Sequence, residues 1–199
     1  MKIRILVFLT ACFSIFASVK DGASAPNFLL MNQDSEMVDL ASFKGKKVIL
    51  EWTNHDCPFV KRHYDTNNMQ SLQKEYTDND VIWLSIISSA KGKQGYVTKS
   101  EAKTLTTERN AFPSHVLFDT NGDVGRLYDA KTTPHMFIID EKGLVKYQGA
   151  IDDLCSTGAL FSTDLSTANN YVRNAMKSLS LGKDIVEKNT RPYGCSIKY

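Results

Sequence analysis

Val48-Ile49-Leu50-Glu51-Trp52-Thr53-Asn54-His55-Asp56-Cys57-Pro58-Phe59-Val60-Lys61-Arg62-His63 changes character at its middle. The first five residues form an apolar run, which reads as a buried strand of about 47–53. Thr53 to Asp56 are polar and turn-prone. Pro58 then suits the first position of a helix, where its missing N–H is not needed. Cys57 therefore falls at the end of a strand and the mouth of a helix. Unsatisfied backbone N–H groups and the positive end of the helix dipole gather there. Both favour thiolate, the form that attacks disulfides and peroxides and binds metals. Position 60 is Val, so no C-x-x-C pair exists.

Outward from this stretch, strands and helices alternate. Residues 25–30 read as an opening strand and 32–35 as a turn. Residues 40–46 form a short turn or helix. Val60, Tyr64, Leu72 and Tyr76 set a helical pattern from Pro58 to Tyr76. The poor helix formers Asp65-Thr66-Asn67-Asn68 predict a break in it. Val81–Ile87 is a near-continuous apolar run, as expected of a central strand covered on both faces. A polar helix over 98–111, a strand over 114–118 and a short helix over 124–128 follow. Residues 135–139 and 144–149 form a hairpin around Asp140-Glu141-Lys142-Gly143. A helix over 169–181 is closed by Gly182. The order predicts an α/β fold with a mixed central sheet flanked by helices.

The chain has 199 residues, 23% charged and 42% hydrophobic, enough for one packed domain. Lys2 and Arg4 precede an apolar run from Ile5 to Ala17, and no acidic residue occurs before Asp21. This pattern reads as an export signal over residues 1–17, too short for a good membrane span. Leu9-Thr10-Ala11-Cys12 offers an alternative, a lipobox whose cysteine would carry a membrane anchor. Cleavage after Ala17 removes two of 24 basic residues and leaves 22 against 22 acidic ones. The mature chain is then formally neutral, without the basic footprint of a nucleic-acid binder. Residues 25–182 form the expected domain, and 183–199 a tail carrying Cys195. Export places the protein in the periplasm or outside the cell, where disulfides persist. Cys57, Cys155 and Cys195 remain after cleavage. An odd number leaves at least one thiol outside any intramolecular pair.

Four stretches carry a resemblance to a known family: Ala25-Pro26-Asn27-Phe28, Phe43-Lys44-Gly45-Lys46, Cys57-Pro58, and Thr132-Thr133-Pro134-His135-Met136-Phe137-Ile138-Ile139-Asp140. With these the chain resembles the thioredoxin-like superfamily, in its peroxiredoxin-related redoxin (alkyl hydroperoxide reductase/thiol-specific antioxidant) branch and among exported bacterial members. The resemblance implies a thioredoxin-like fold and a cis Thr133–Pro134 bond. Thr133 and Pro134 then shape the substrate groove beside the active cysteine. Two departures stand out. Val60 occupies the place of a thioredoxin's second cysteine. Thr53 precedes Cys57 with three intervening residues, where a typical peroxiredoxin has two.

The expected activity is that of a thiol-dependent oxidoreductase with Cys57 as nucleophile, acting on a disulfide-bearing protein or a peroxide and restored by a thiol reductant. No cofactor and no metal are needed. Cys195, in a loose tail, is the candidate resolving thiol, ahead of Cys155. His55 is an auxiliary candidate as base or ligand, and Thr53 accompanies it. Lys61, Arg62 and His63 could lower the thiol pKa from the first helical turns, or form a solvated face. For His135, packing away from the sulfur outweighs facing it. His115, Trp52 and Trp83 read as structural, and Asp152-Asp153 as a solvated loop. The rival from another class is a copper-delivery protein using His55, Cys57, His63 and His135, ligand types suited to Cu(I). A third reading is a redox-inactive binding module.

Overall fold

The structure is a computed structural model that describes residues 21–154, 164–165 and 167–199. The proposed signal, Cys12 and Cys155 lie outside the described residues. Seven strands form the main sheet: β1 (Leu29–Asn32), β2 (Met37–Asp39), β3 (Val48–Trp52), β4 (Ile82–Ile87), β5 (His115–Phe118), β7 (His135–Ile139) and β8 (Val145–Gly149). Their order is β2-β1-β5-β4-β3-β7-β8. β3, β4 and β5 run parallel, and the outer strands pair antiparallel. The helices are α1 (Pro58–Asp65), α2 (Asn68–Thr77), α3 (Lys99–Glu108), α4 (Asp123–Leu127) and α5 (Tyr171–Ser180). The expected mixed sheet flanked by helices is thus the observed fold.

Every residue of β3 is buried because both faces of the sheet are covered. Ile49, Trp83, Met136 and Ile138 pack on one face with Val60, Leu72 and Val172 of α1, α2 and α5. Leu50, Trp52, Ile86 and Phe137 pack on the other, with Val124 of α4 and the neighbouring Tyr128. Trp52 and Trp83 are core, as expected, and both indole N–H groups are satisfied. Trp52 donates to the Ser88 hydroxyl at 3.0 Å and Trp83 to the Glu51 carboxylate at 2.9 Å. The expected helix break lies between α1 and α2. Asn67 sits there with φ 58°, a left-handed conformation that asparagine tolerates better than most residues.

The opening strand falls later than expected, at Leu29–Asn32, and β2 was not anticipated. The larger correction concerns the tail, which is ordered. It runs along β8, where Gln148 and Lys188–Thr190 exchange backbone hydrogen bonds. It then forms β9 (Cys195–Ser196), which pairs antiparallel with β6 (Thr132–Thr133) in a separate two-stranded sheet. Beyond β9, Ile197 joins the core and the Tyr199 hydroxyl donates to the Ala130 carbonyl. A two-residue strand in a polar tail has no periodicity to betray it.

Candidate active site

β3 delivers the chain to the loop 53–57, which is pinned from several sides. The Asn54 carbonyl accepts from the Cys57 N–H at 3.0 Å, and its side chain accepts from the Asp56 N–H at 2.9 Å. Asp56 in turn accepts from the Gly95 N–H, and Arg109 donates to the His55 carbonyl. Gly95 has φ +85°, and a Cβ there would lie 2.3 Å from Asn54, so the close approach requires glycine. Cys57 is the N-cap of α1, with Pro58 at the first helical position. The strand-end, helix-start geometry is the one its sequence predicts.

The Cys57 thiol is fully buried. It donates to the Thr133 carbonyl at 3.1 Å. The Thr133–Pro134 bond is cis. In the register of β6 and β9, Thr133 lies opposite Cys195. The two cysteines are free thiols, and Cys195 packs against the apolar cluster that holds Cys57. Burial is the largest influence on the Cys57 thiol and pushes its pKa up. The Cys195 side chain, and then the backbone N–H groups of Val60 and Cys195, outweigh burial and leave it lowered. Cys195 goes the opposite way. Burial, and then the neighbouring Cys57 thiol and its charge, push it up to about 12. The two shifts run in opposite directions, toward thiolate at Cys57 and toward the protonated thiol at Cys195.

The other candidates divide. Neither His55 nor Thr53 is among the groups acting on the Cys57 sulfur. Both line a separate cavity with Tyr64, Ile87, Leu105 and Arg109. His55 Nε2 lies 3.2 Å from the Asp56 carboxylate. His135 is buried on the opposite sheet face, its ring tilted 41° to that of Phe137 with centroids 4.6 Å apart. Burial, and then Lys131, lower its pKa to about 3. His115 is structural as expected, paired with the Asn32 side chain.

Arg62 and His63 overturn their expected roles. Neither forms a solvated face, and neither is among the main influences on the Cys57 pKa. Both are buried and reach the Tyr193 hydroxyl, at 3.0 and 3.1 Å. Burial, and then Arg62, lower the His63 pKa to about 3, so it is neutral at physiological pH. Lys61 remains exposed. Asp152 is likewise no solvated loop residue. It is 2% exposed and accepts the Tyr193 hydroxyl proton at 2.5 Å. Burial raises its pKa.

Sequence reasoning missed Tyr193 and Gly194. Gly194 has φ +130°, and a Cβ there would stand 2.1 Å from the Thr133 carbonyl oxygen. Glycine next to Cys195 was the available signal that the tail comes hard against another backbone. Glu51 was also missed. On the sheet face of Cys57, its buried carboxylate accepts from Tyr64, Gln73, Trp83 and Ser85 at 2.8–3.1 Å.

A fully buried cysteine capping a helix beside a cis Thr–Pro bond is the arrangement the sequence resemblance implied. The Redoxin family model matches residues 20–156. The chain belongs to the Redoxin family. Thioredoxin-like protein YneN of Bacillus subtilis is 30% identical over 64% of this chain and 70% of its own length. Thiol-disulfide oxidoreductase ResA of the same species is 27% identical over 68% and 70%. An uncharacterized conserved protein of Geobacillus kaustophilus has a similar crystal structure, with TM-score 0.76 and 26% identity over 90% of this chain and 92% of that one. Redoxin membership makes this chain a thiol-based oxidoreductase. The copper reading finds no support. Its four ligands are dispersed over two sheet faces, and among the described residues no three His, Cys, Asp or Glu side chains gather as a metal site. No helix among the described residues is long and apolar enough to cross a membrane.

Proposed function

We propose that the protein is an exported thiol–disulfide oxidoreductase in which Cys57 attacks and Cys195 resolves. The observation that carries this reading is the placement of Cys195, which β9 sets opposite Thr133, the residue whose carbonyl accepts from the Cys57 thiol at 3.1 Å. The Cys57 thiolate attacks one sulfur of a substrate disulfide, forming a mixed disulfide and expelling the other sulfur as thiolate. Cys195 then loses its proton and attacks the Cys57 sulfur. A Cys57–Cys195 disulfide forms, and the second substrate thiolate leaves. Two electrons pass to the substrate, and an external thiol reductant restores the pair.

The opposed pKa shifts fit this order. Two of the three influences that keep Cys195 protonated come from Cys57. Both vanish once the Cys57 sulfur is tied up in the mixed disulfide, so Cys195 becomes reactive only after the first step. Thr133 and Pro134 shape the groove beside the sulfur, with Thr53 and His55 on the neighbouring loop. No cofactor is required. Disulfide-bearing proteins are favoured over peroxide as substrate, because a relative 27% identical to this chain is named a thiol-disulfide oxidoreductase. Export follows from the basic and apolar residues 1–17, and lipidation at Cys12 is the alternative that would add a membrane anchor.

The test is trapping. Cys195→Ser mixed with a disulfide-bearing protein should accumulate a mixed disulfide at Cys57, while the unaltered protein should turn over. Fast conversion of Cys57 to sulfenic acid by hydrogen peroxide, with no exchange on protein disulfides, would move the substrate assignment to peroxide. An inert Cys57 in both assays would end the proposal.

A further inference from the structure

The proposed reaction needs Cys195 held against Cys57, yet Cys195 lies in a tail that meets the rest of the molecule only through specific contacts. Tyr193 makes the contact nearest to it on the upstream side. Its hydroxyl has one proton to give and two lone pairs to receive, and all three are used. It donates to the Asp152 carboxylate. It accepts from the Arg62 guanidinium at 3.0 Å. It lies 3.1 Å from His63 Nε2. Asn68 lies 2.9 Å from the other ring nitrogen of His63, on the opposite side of the imidazole. An amide N–H donated there places the ring proton on Nε2, facing Tyr193. The Tyr193 ring is set edge-on against Phe59, with centroids 6.0 Å apart.

Arg62 and His63 belong to α1, the helix that Cys57 caps. Asp152 belongs to the segment that follows β8. One hydroxyl therefore ties the tail both to the helix that carries the nucleophile and to the neighbouring loop. Gly194 then lets the chain drop onto the Thr133 carbonyl, and Cys195 follows.

We infer that Tyr193 is a positioning residue for the Cys57–Cys195 pair, its hydroxyl fixing the register in which the tail presents Cys195 to Cys57. This rests on Cys195 being the resolving thiol. Fixing the reduced tail in place raises the effective concentration of one sulfur at the other, which is how preorganisation favours an intramolecular bond.

The test is Tyr193→Phe in the full chain, which keeps the ring against Phe59 and deletes only the hydroxyl. The readout is the equilibrium between the Cys57–Cys195 disulfide and dithiothreitol, followed by alkylation and mass spectrometry. A general loss of stability cancels in this equilibrium, because both redox forms carry the same substitution. The equilibrium constant for closing the disulfide should fall about tenfold or more, the size expected for losing a buried hydrogen bond to a charged group. Maleimide should also label Cys195 of the reduced variant faster. Asp152→Ser, too short to reach the hydroxyl, should shift the equilibrium in the same direction and serves if Tyr193→Phe does not fold. An unchanged equilibrium in either folded variant, with the disulfide forming normally in the unaltered protein, overturns the role of Tyr193 and leaves Cys195 as resolving thiol. A disulfide that never forms in the unaltered protein overturns both.

Discussion

Replacing Cys195 with Ala or with Ser separates the two ways in which the tail acts on Cys57. The Cys195 side chain is the strongest of the influences that lower the Cys57 pKa, and burial opposes it. Alanine deletes the donor but keeps the backbone N–H and most of the cover, whereas serine keeps a donor of similar reach. A hydrogen bond to a charged group contributes about 1.5–3 kcal/mol, and one pKa unit corresponds to about 1.4 kcal/mol. Water admitted in place of the thiol returns part of that, so Cys195→Ala should raise the Cys57 pKa by about one unit. Below both pKa values the thiolate fraction then falls about tenfold. The more basic thiolate is intrinsically about threefold more nucleophilic for a Brønsted coefficient near 0.45. The net result is alkylation about threefold slower. The assay is the pH dependence of Cys57 alkylation by iodoacetamide, with mass spectrometry to assign the site. Cys195→Ser should stay within a few tenths of a unit of the unaltered protein. Equal pKa values in the Ala and Ser variants, or a lower value in the Ala variant, would show that the tail acts by covering the sulfur and not by donating to it.

Gly194→Ala should lift β9 away from β6, because the added Cβ would meet the Thr133 carbonyl oxygen at 2.1 Å. Maleimide labelling of Cys195 should accelerate, and unchanged labelling would refute the close approach. Glu51→Ala leaves four buried donors without their shared acceptor. With each unmet donor costing about 1–3 kcal/mol and some relaxation, urea unfolding should show a loss of about 3 kcal/mol or more. Glu51→Gln, which keeps an acceptor oxygen, should lose less. Stability should fall with acid. The folded-state pKa values of His63 and His135 are lowered from 6.5 to about 3, so the unfolded chain takes up their protons first. Their contribution is complete above about pH 6.5 and is lost as pH falls toward 3, at up to about 2.7 kcal/mol per pH unit for the two together. Urea midpoints that stay flat between neutral pH and about pH 5 would contradict the burial of both imidazoles as neutral groups.

The sequence made the frame of the site legible because that frame obeys local rules. An apolar five-residue run gives β3, and Pro58 marks the helix start that makes Cys57 an N-cap. Asp65-Thr66-Asn67-Asn68 announces the break between α1 and α2 through its poor helix formers. What the sequence hid depends on contacts between distant residues. Arg62 and Tyr193 are 131 positions apart, and Asp152 and Tyr193 are 41 apart. Charged residues in a short helix and paired aspartates in a loop are solvated in most proteins. Here each is buried only because the other, with Tyr193, satisfies it. The tail looked loose for the same reason. Its two-residue strand is specified by Thr133 opposite Cys195, by Gly194 and by Ile197 in the core, none of which forms a period.

The central claim is that a cysteine-capped helix and a distant tail cysteine form one redox pair. Disulfide mapping after stoichiometric oxidation, by non-reducing digestion and mass spectrometry, tests it most directly. The account predicts a single Cys57–Cys195 linkage with two thiols lost per chain. Cys57 paired with Cys155, or oxidised alone while Cys195 stays a thiol, would contradict it.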